Sequence, residues 1–150
     1  MTETRWLNAD EQRTWRAYLN SHRLVLDAID AQLRRDSGMP QAYYEILVQL
    51  SEAPERTLRM AELADATCVS ASRLSHAVTR LQERGWVRRE DCPTDRRGQF
   101  AVLTDEGYAV LAAAAPGHVG AVRGAIFDAL DAEQVRRLDE ISQTLARRLT

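Results

Sequence analysis

The chain has 150 residues, 45% apolar and 28% charged, with 20 basic and 22 acidic side chains for a net charge of −2. That length and balance suit one globular domain able to bury a core, and exclude a disordered or fibrous polypeptide. Two cysteines are too few for a disulfide framework, no apolar run approaches the roughly 18 residues that span a bilayer, and the acidic start "MTETRWLNADEQR" is unlike a signal peptide. A cytoplasmic protein without a membrane partner is expected.

The net charge hides a segregation. All basic residues are Arg, and residues 56–104 carry 9 of them against 6 acids, a local excess of +3. The flanks are acidic, at −3 over residues 1–55 and −2 over residues 105–150. A basic segment on an acidic molecule is the footprint expected where one segment meets a polyanion.

Asn8 with Glu11 forms a capping box at the start of a helix. The stripe Trp15, Leu19, His22, Leu26, Ile29 and Leu33 then alternates steps of four and three, predicting a long amphipathic helix with His22 on its buried face. Gly38 supplies a left-handed terminus and Pro40 suits the first turn of a second helix over 41–53, which stops at Pro54. "TLRM" (57–60) is a short extended piece.

Helix 60–66, a tight turn at 67–69 and helix 70–84 follow, with Ser70 as cap and Gly85 as stop. Leu63, Ala64, Val69, Leu74, Ala77, Val78 and Leu81 sit where two crossed short helices bury one another, the helix-turn-helix spacing. Cys68, in the turn where Gly is frequent, reads as a small packing residue. "WVRRED" and "QFAVLT" read as a β-hairpin around a polar turn. Thr104 caps a helix to about residue 130, with a break or kink expected at Pro116-Gly117. Asp131 and Gln134 form a capping box for a last helix to 149, with the stripe Val135, Leu138, Ile141/Ser142, Leu145 and Leu149.

A helix-turn-helix followed at once by a hairpin is a winged helix, and the fold class is therefore mainly α. The second helix matches the width of the DNA major groove. Its exposed face offers Ser70, Ser72, Arg73, Ser75, His76, Thr79 and Arg80, all hydrogen-bonding side chains. Arg96 and Arg97 at the hairpin turn suit the narrow, electronegative minor groove, and Asp95 can hold the Arg97 guanidinium by a bidentate pair. Arg88 and Arg89 read equally as phosphate contacts or as solvated strand residues. The apolar edges at both termini, including Trp6 and Leu7, exceed what one small winged domain can cover, which argues for a partner subunit.

The run from Leu63 to Gly107 resembles the winged helix of the MarR family of bacterial transcriptional regulators. Its most specific feature is Asp95-Arg96-Arg97 followed by Leu103-Thr104-Asp105-Glu106-Gly107. The resemblance implies one domain over 1–150, with 1–55 and 105–150 forming helical dimerisation and effector regions and 56–104 the DNA-binding region. It further implies a homodimer that represses from a pseudo-palindromic operator on double-stranded DNA, released by a small ligand, aromatic ones included, or by thiol oxidation. By position, Arg97 becomes the minor-groove arginine and Ser70 to Arg80 the major-groove helix. Effectors of the family lodge where Trp15, Tyr18, His22, Tyr43 and Tyr44 fall in this chain. Two departures stand out: Cys92 interrupts the usual Asp-Pro of the wing, and the first helix has no cysteine near its start, against a peroxide-sensing role.

Three other readings compete. A thiol-responsive regulator would use Cys92, its thiol acidified by Arg96 or Arg97 against the opposing Asp91 and Asp95, or Cys68. A thiol enzyme would use the same cysteines, but no Cys-His-acid order, CxxC, GxGxxG or P-loop accompanies them. A winged helix can also serve only to bind other proteins. Neither an enzyme, a cofactor nor a metal site is expected, since two cysteines 24 residues apart without clustered His do not make a zinc site.

Overall fold

A computed structural model of the chain describes residues 4–149, without the side chains of Arg96 and Arg97. The order is α1 (Ala9–Ser37), α2 (Gln41–Glu52), a 3-10 turn, β1 (Thr57–Arg59), α3 (Met60–Ala66), α4 (Ala71–Glu83), β2 (Val87–Cys92) and β3 (Asp95–Leu103), then α5 (Asp105–Ala125), a second 3-10 turn and α6 (Ala132–Leu149). It is mainly α, a winged helix with long terminal helices, as expected. Two compact units divide it, residues 31–119 and residues 1–30 with 120–150.

In the 31–119 unit, a three-stranded antiparallel sheet of order β1-β3-β2 stands beside the short helices. The piece read only as extended is a true edge strand, with Thr57 opposite Val102 and Arg59 opposite Phe100. β2 and β3 form the wing hairpin, in register from Val87–Leu103 and irregular between Asp91 and Cys92. Leu47, Leu50, Leu63, Leu74, Val78, Leu81, Val87 and Ala101 are buried in this unit, each apolar side chain of Leu size contributing about 1.5–3 kcal/mol.

The junction of α4, β2 and α5 is built from the Leu-Thr-x-x-Gly motif. Gly85 closes α4 at φ +75°, a left-handed position that favours glycine. Thr104 Oγ1 donates to Gly85 O at 2.7 Å and accepts from Gly107 N at 3.0 Å, so one hydroxyl caps α5 and ties it to the turn. Thr104 N donates to Trp86 O at 3.1 Å. A Cβ on Gly107 would sit 2.1 Å from Trp86 O, so α5 approaches the turn more closely than any side chain permits.

The turn between α3 and α4 corrects one expectation. Cys68 is exposed rather than packed and holds φ +53°. It occupies a glycine-like backbone position for its conformation, not for its volume.

The 1–30/120–150 unit contains most of α1, the end of α5 and α6. The capping boxes are present: Asn8 N donates to Glu11 Oε2 at 2.8 Å and Glu11 N to Asn8 Oδ1 at 2.9 Å, while Asp131 and Gln134 exchange bonds of 2.9 and 2.8 Å. The α1 stripe departs from its sequence reading. Ile29 and Leu33 are buried, but Trp15, Leu19 and Leu26 are 51%, 45% and 38% exposed, and His22 is exposed as well. Periodicity defines an apolar face, and the length of that face exceeds what the described chain covers. α6 is similar, with Leu138, Ile141 and Leu145 about half exposed.

α5 is one continuous helix through Pro116, so the expected break is absent. Proline removes a single backbone donor there, and the helix persists on either side. Residues 105–129 are also long and apolar enough to cross a bilayer by length and composition, the one such stretch among the described residues. The expectation from uninterrupted runs missed this because Ala, Val, Leu and Ile raise the average over residues 105–129 while Gly, Pro, His and charged residues interrupt any long apolar run.

Two outcomes are expected. Gly107→Ala should destabilise the chain by about 3 kcal/mol in urea unfolding, since neither the Trp86 carbonyl nor the capped helix start can move away freely. Cys68→Gly should hold or raise the midpoint, and Cys68→Val should cost about 1 kcal/mol, because a β-branched residue tolerates the left-handed region least.

Candidate nucleic-acid interface

The α4 sequence separates its two faces cleanly. Leu74, Val78 and Leu81 are buried, and Ser70, Ser72, Arg73, His76, Thr79 and Arg80 are exposed. Ser70 caps the helix, its Oγ accepting from Arg73 N at 3.3 Å. That bond uses Ser70 in building the helix start, and leaves the unpaired amide dipoles of the first turn facing out beside Ser72 and Arg73. Arg80 Nη1 donates to Glu83 Oε2 at 2.9 Å, and this hydrogen bond and charge raise its pKa further. Both groups are exposed, so the pair is weak enough to exchange Glu83 for another anion.

Ser75 differs from its neighbours: it is half-buried. The guanidinium of Arg89, on the adjoining strand β2, donates from Nη2 to Ser75 O at 2.8 Å, to Ser75 Oγ at 3.1 Å and to Thr79 Oγ1 at 3.2 Å. Thr79 Oγ1 in turn donates to Ser75 O at 2.9 Å. The sequence reading of Arg89 as a phosphate contact or a solvated residue therefore gives way to a helix–strand tie. Strand alternation carries the signal, because Arg89 lies two residues after the buried Val87 and shares its inward face. Arg88 points the other way and pairs with Glu90 at 2.8 Å.

At the wing, Arg96 and Arg97 fall on β3, and their side chains lie outside the described set. Asp95 Oδ2 lies 3.9 Å from Arg59 Nη1, a basic residue of β1 that sequence reasoning did not connect to the wing. Only the β1–β3 pairing reveals it, through the neighbour of Phe100. Arg59 Nη2 also reaches Cys92 Sγ at 3.3 Å, and Thr94 Oγ1 lies 3.4 Å from the same sulfur. The hydrogen bonds from Thr94, with a smaller contribution from the Arg59 charge, lower the Cys92 pKa. Cys92 is only 5% exposed, which restricts the access of an oxidant.

The five residues named for an effector fall in both units. Trp15, Tyr18 and His22 stack along one face of α1, with ring centroids 6.1 and 6.0 Å apart. Tyr18 and His22 line a groove of about 570 Å³ with Val25, Ile126, Leu130 and Leu138. Tyr43 and Tyr44 belong to the 31–119 unit. Tyr44 is buried against His118, their centroids 4.2 Å apart, and burial raises its pKa. Tyr43 lies 5.7 Å from the Arg84 guanidinium.

Comparisons with known proteins bear on this geometry. A family model described as MarR family matches residues 37–98. Transcriptional regulator HosA of Escherichia coli O111:H- is 33% identical over 110 residues, covering 73% of this chain and 72% of that protein. Sco3205 of Streptomyces coelicolor, a MarR family transcriptional regulator solved in complex with DNA, is 57% identical with a TM-score of 0.94, over 98% of this chain and 92% of that one. AbsC, a MarR family transcriptional regulator of the same organism, is 43% identical with a TM-score of 0.90, over 97% and 98%.

His118 gives the 31–119 unit an acid-sensitive contact. Burial lowers its pKa below the usual 6.5, and Nδ1 has no hydrogen-bond partner among the described residues. The folded chain thus binds this proton less readily than the unfolded one. The associated stability is complete above about pH 6.5 and is lost as pH falls through the lower, folded value. The urea midpoint should drop between pH 7.5 and 5.5, and His118→Phe, which keeps a ring on Tyr44, should reduce that drop.

Proposed function

The chain belongs to the MarR family of transcriptional regulators, and from that premise we propose that it is a homodimeric repressor binding a pseudo-palindromic DNA operator, its binding modulated by a small ligand. The observation that carries this reading is the exposed N-terminal half of α4, with Ser70, Ser72, Arg73 and His76 standing clear of the core, in a chain 57% identical to a regulator solved on DNA. An α-helix presents such residues to base edges in the major groove. Arg97 enters the minor groove, Asp95 orients it, and Arg96 contacts phosphate.

The terminal regions, 1–55 and 105–150, form the dimer. Its support is apolar surface: Trp6, Leu138, Ile141, Leu145 and Leu149 are each 42% exposed or more. A second copy covers such edges in a two-fold interface. The small ligand occupies the groove beside Tyr18 and His22, with Trp15, on the same face of the helix, as a further candidate contact. The volume and apolar lining suit a compact ligand, aromatic ones included. The regulator acts in the cytoplasm, without membrane, cofactor or catalytic activity. The low exposure of Cys92 favours this reading over a thiol-responsive one built on that residue.

The test is selection of duplexes from a random pool, followed by footprinting of the bound sequence. Protection of two half-sites about one helical turn apart, roughly 10 bp centre to centre, is expected. Arg97→Ala should lower affinity for the selected duplex at least roughly tenfold by fluorescence anisotropy, while light scattering still reports a dimer. Unchanged binding by that variant would remove the wing from the interface.

A further inference from the structure

We propose that Arg89 is a positioning residue of the DNA interface that fixes Ser75 as a hydrogen-bond donor, so that Ser75 selects acceptor groups on the duplex. The inference rests on the DNA-binding reading and names a specificity element within it.

The argument begins with what a guanidinium can do. It carries only donors and keeps its charge at every pH where the chain is folded. Each hydroxyl facing it must therefore turn a lone pair toward it. Arg89 Nη2 faces two hydroxyls, Ser75 Oγ at 3.1 Å and Thr79 Oγ1 at 3.2 Å, as well as the Ser75 carbonyl at 2.8 Å. The Thr79 proton is committed, because Oγ1 donates to Ser75 O at 2.9 Å. Thr79 is thus satisfied within the protein, accepting from Arg89 and donating to the helix.

Ser75 is in a different position. Its Oγ accepts from Arg89, and its proton makes no hydrogen bond among the described residues. The residue is half-buried, on the turn of α4 that holds the exposed Arg73 and His76. A hydroxyl is ordinarily ambivalent, since it rotates to donate or accept as its partner requires. With one lone pair held by the cation, accepting from the DNA side would use the second lone pair. The proton would then swing to the remaining staggered position, where no described residue accepts it, so donation toward the duplex is the arrangement that satisfies every group. Ser75 accordingly favours acceptors such as phosphate oxygens, purine N7, guanine O6 and thymine O4, and disfavours the exocyclic amines of adenine and cytosine.

Arg89 itself is committed inward. It lies on the face of β2 shared with the buried Val87, and its Nε is buried without a partner among the described residues. An arginine reaching out to phosphate would not leave that atom inside. It acts on DNA through α4, not by contact.

The experiment is a double-mutant cycle read as base preference. Duplexes are selected from a random pool with the wild-type chain, Ser75→Ala, Arg89→Met and the double variant, and each is assayed for affinity to the wild-type selected duplex and to a scrambled one. Ser75→Ala and Arg89→Met are expected to relax the same positions of the selected sequence and each to lower the ratio of selected to scrambled affinity roughly tenfold. The double variant should be no worse than Arg89→Met alone, and positions set by the wing should be unchanged. If no base position relaxes, a methylphosphonate scan should find one phosphate whose neutralisation weakens the wild type but not Ser75→Ala; this marks the acceptor as backbone, not base. Arg89→Lys, which keeps the charge and a donor head, should restore the preference, and Arg89→Gln, which removes the charge but keeps a polar head, replaces Arg89→Met in the cycle if that variant does not fold.

Additive losses would overturn the proposal, since Arg89 and Ser75 would then act independently. So would a uniform loss of affinity to both duplexes with an unshifted base preference and no phosphate singled out by the methylphosphonate scan, which is the signature of a structural role alone. A wild-type chain that selects no sequence at all would overturn the DNA reading beneath it, and that result is distinct from selective binding with uncoupled variants.

Discussion

The close approach of α5 to the turn after α4 is the constraint on which the winged unit depends. With only hydrogen on the Cα of Gly107, the helix start rests against the Trp86 carbonyl, where a Cβ would lie 2.1 Å from the oxygen. Thr104 completes the contact with one hydroxyl that donates to Gly85 O and accepts from Gly107 N. Three elements are thereby fixed at one point: the end of α4, the first residues of β2 and the first turn of α5. Once β2 leaves that point at a set angle beside α4, Arg89 arrives opposite Ser75 and Thr79 without any further device.

Much of this was legible in the residues, and what was legible was local. Asn8 with Glu11 and Asp131 with Gln134 announce their helices because the partners are three residues apart and the bonds close within one turn. The helix-turn-helix and the hairpin follow from spacing over a few dozen residues. What escaped was non-local. β1 has three residues and no alternation to speak of, and it becomes a strand only because β3 supplies a partner 45 residues away at Val102. The α1 stripe shows the complementary failure, in which the period identified the apolar face correctly but carried no information on what covers it. Cys68 escapes for a third reason. Its small side chain suggests packing, but its positive backbone φ decides what the position requires.

The basic segment also looks different once its partners are known. Arg80 is held by Glu83, Arg88 by Glu90, and Arg59 lies between Asp95 and Cys92. Exposed pairs of this kind are screened by solvent and contribute little to stability, so they direct a side chain without binding it tightly. On the DNA reading, these carboxylates keep guanidinium groups oriented until phosphate displaces them. Arg89 stands apart from that group, because its partners are uncharged oxygens on a helix and its position is inward.

The choice of oxygens on α4 has a consequence for how such a surface can diversify. The shortest of the three bonds from Arg89 goes to the main-chain carbonyl of Ser75, which every amino acid at that position would supply equally. A change of side chain at residue 75 therefore leaves the helix moored to its strand. On the DNA reading, the groove-facing chemistry of α4 can drift through many sequences during divergence while the mooring is inherited intact. The attachment of α4 and the chemistry that its outer face presents are, on that reading, separately heritable traits.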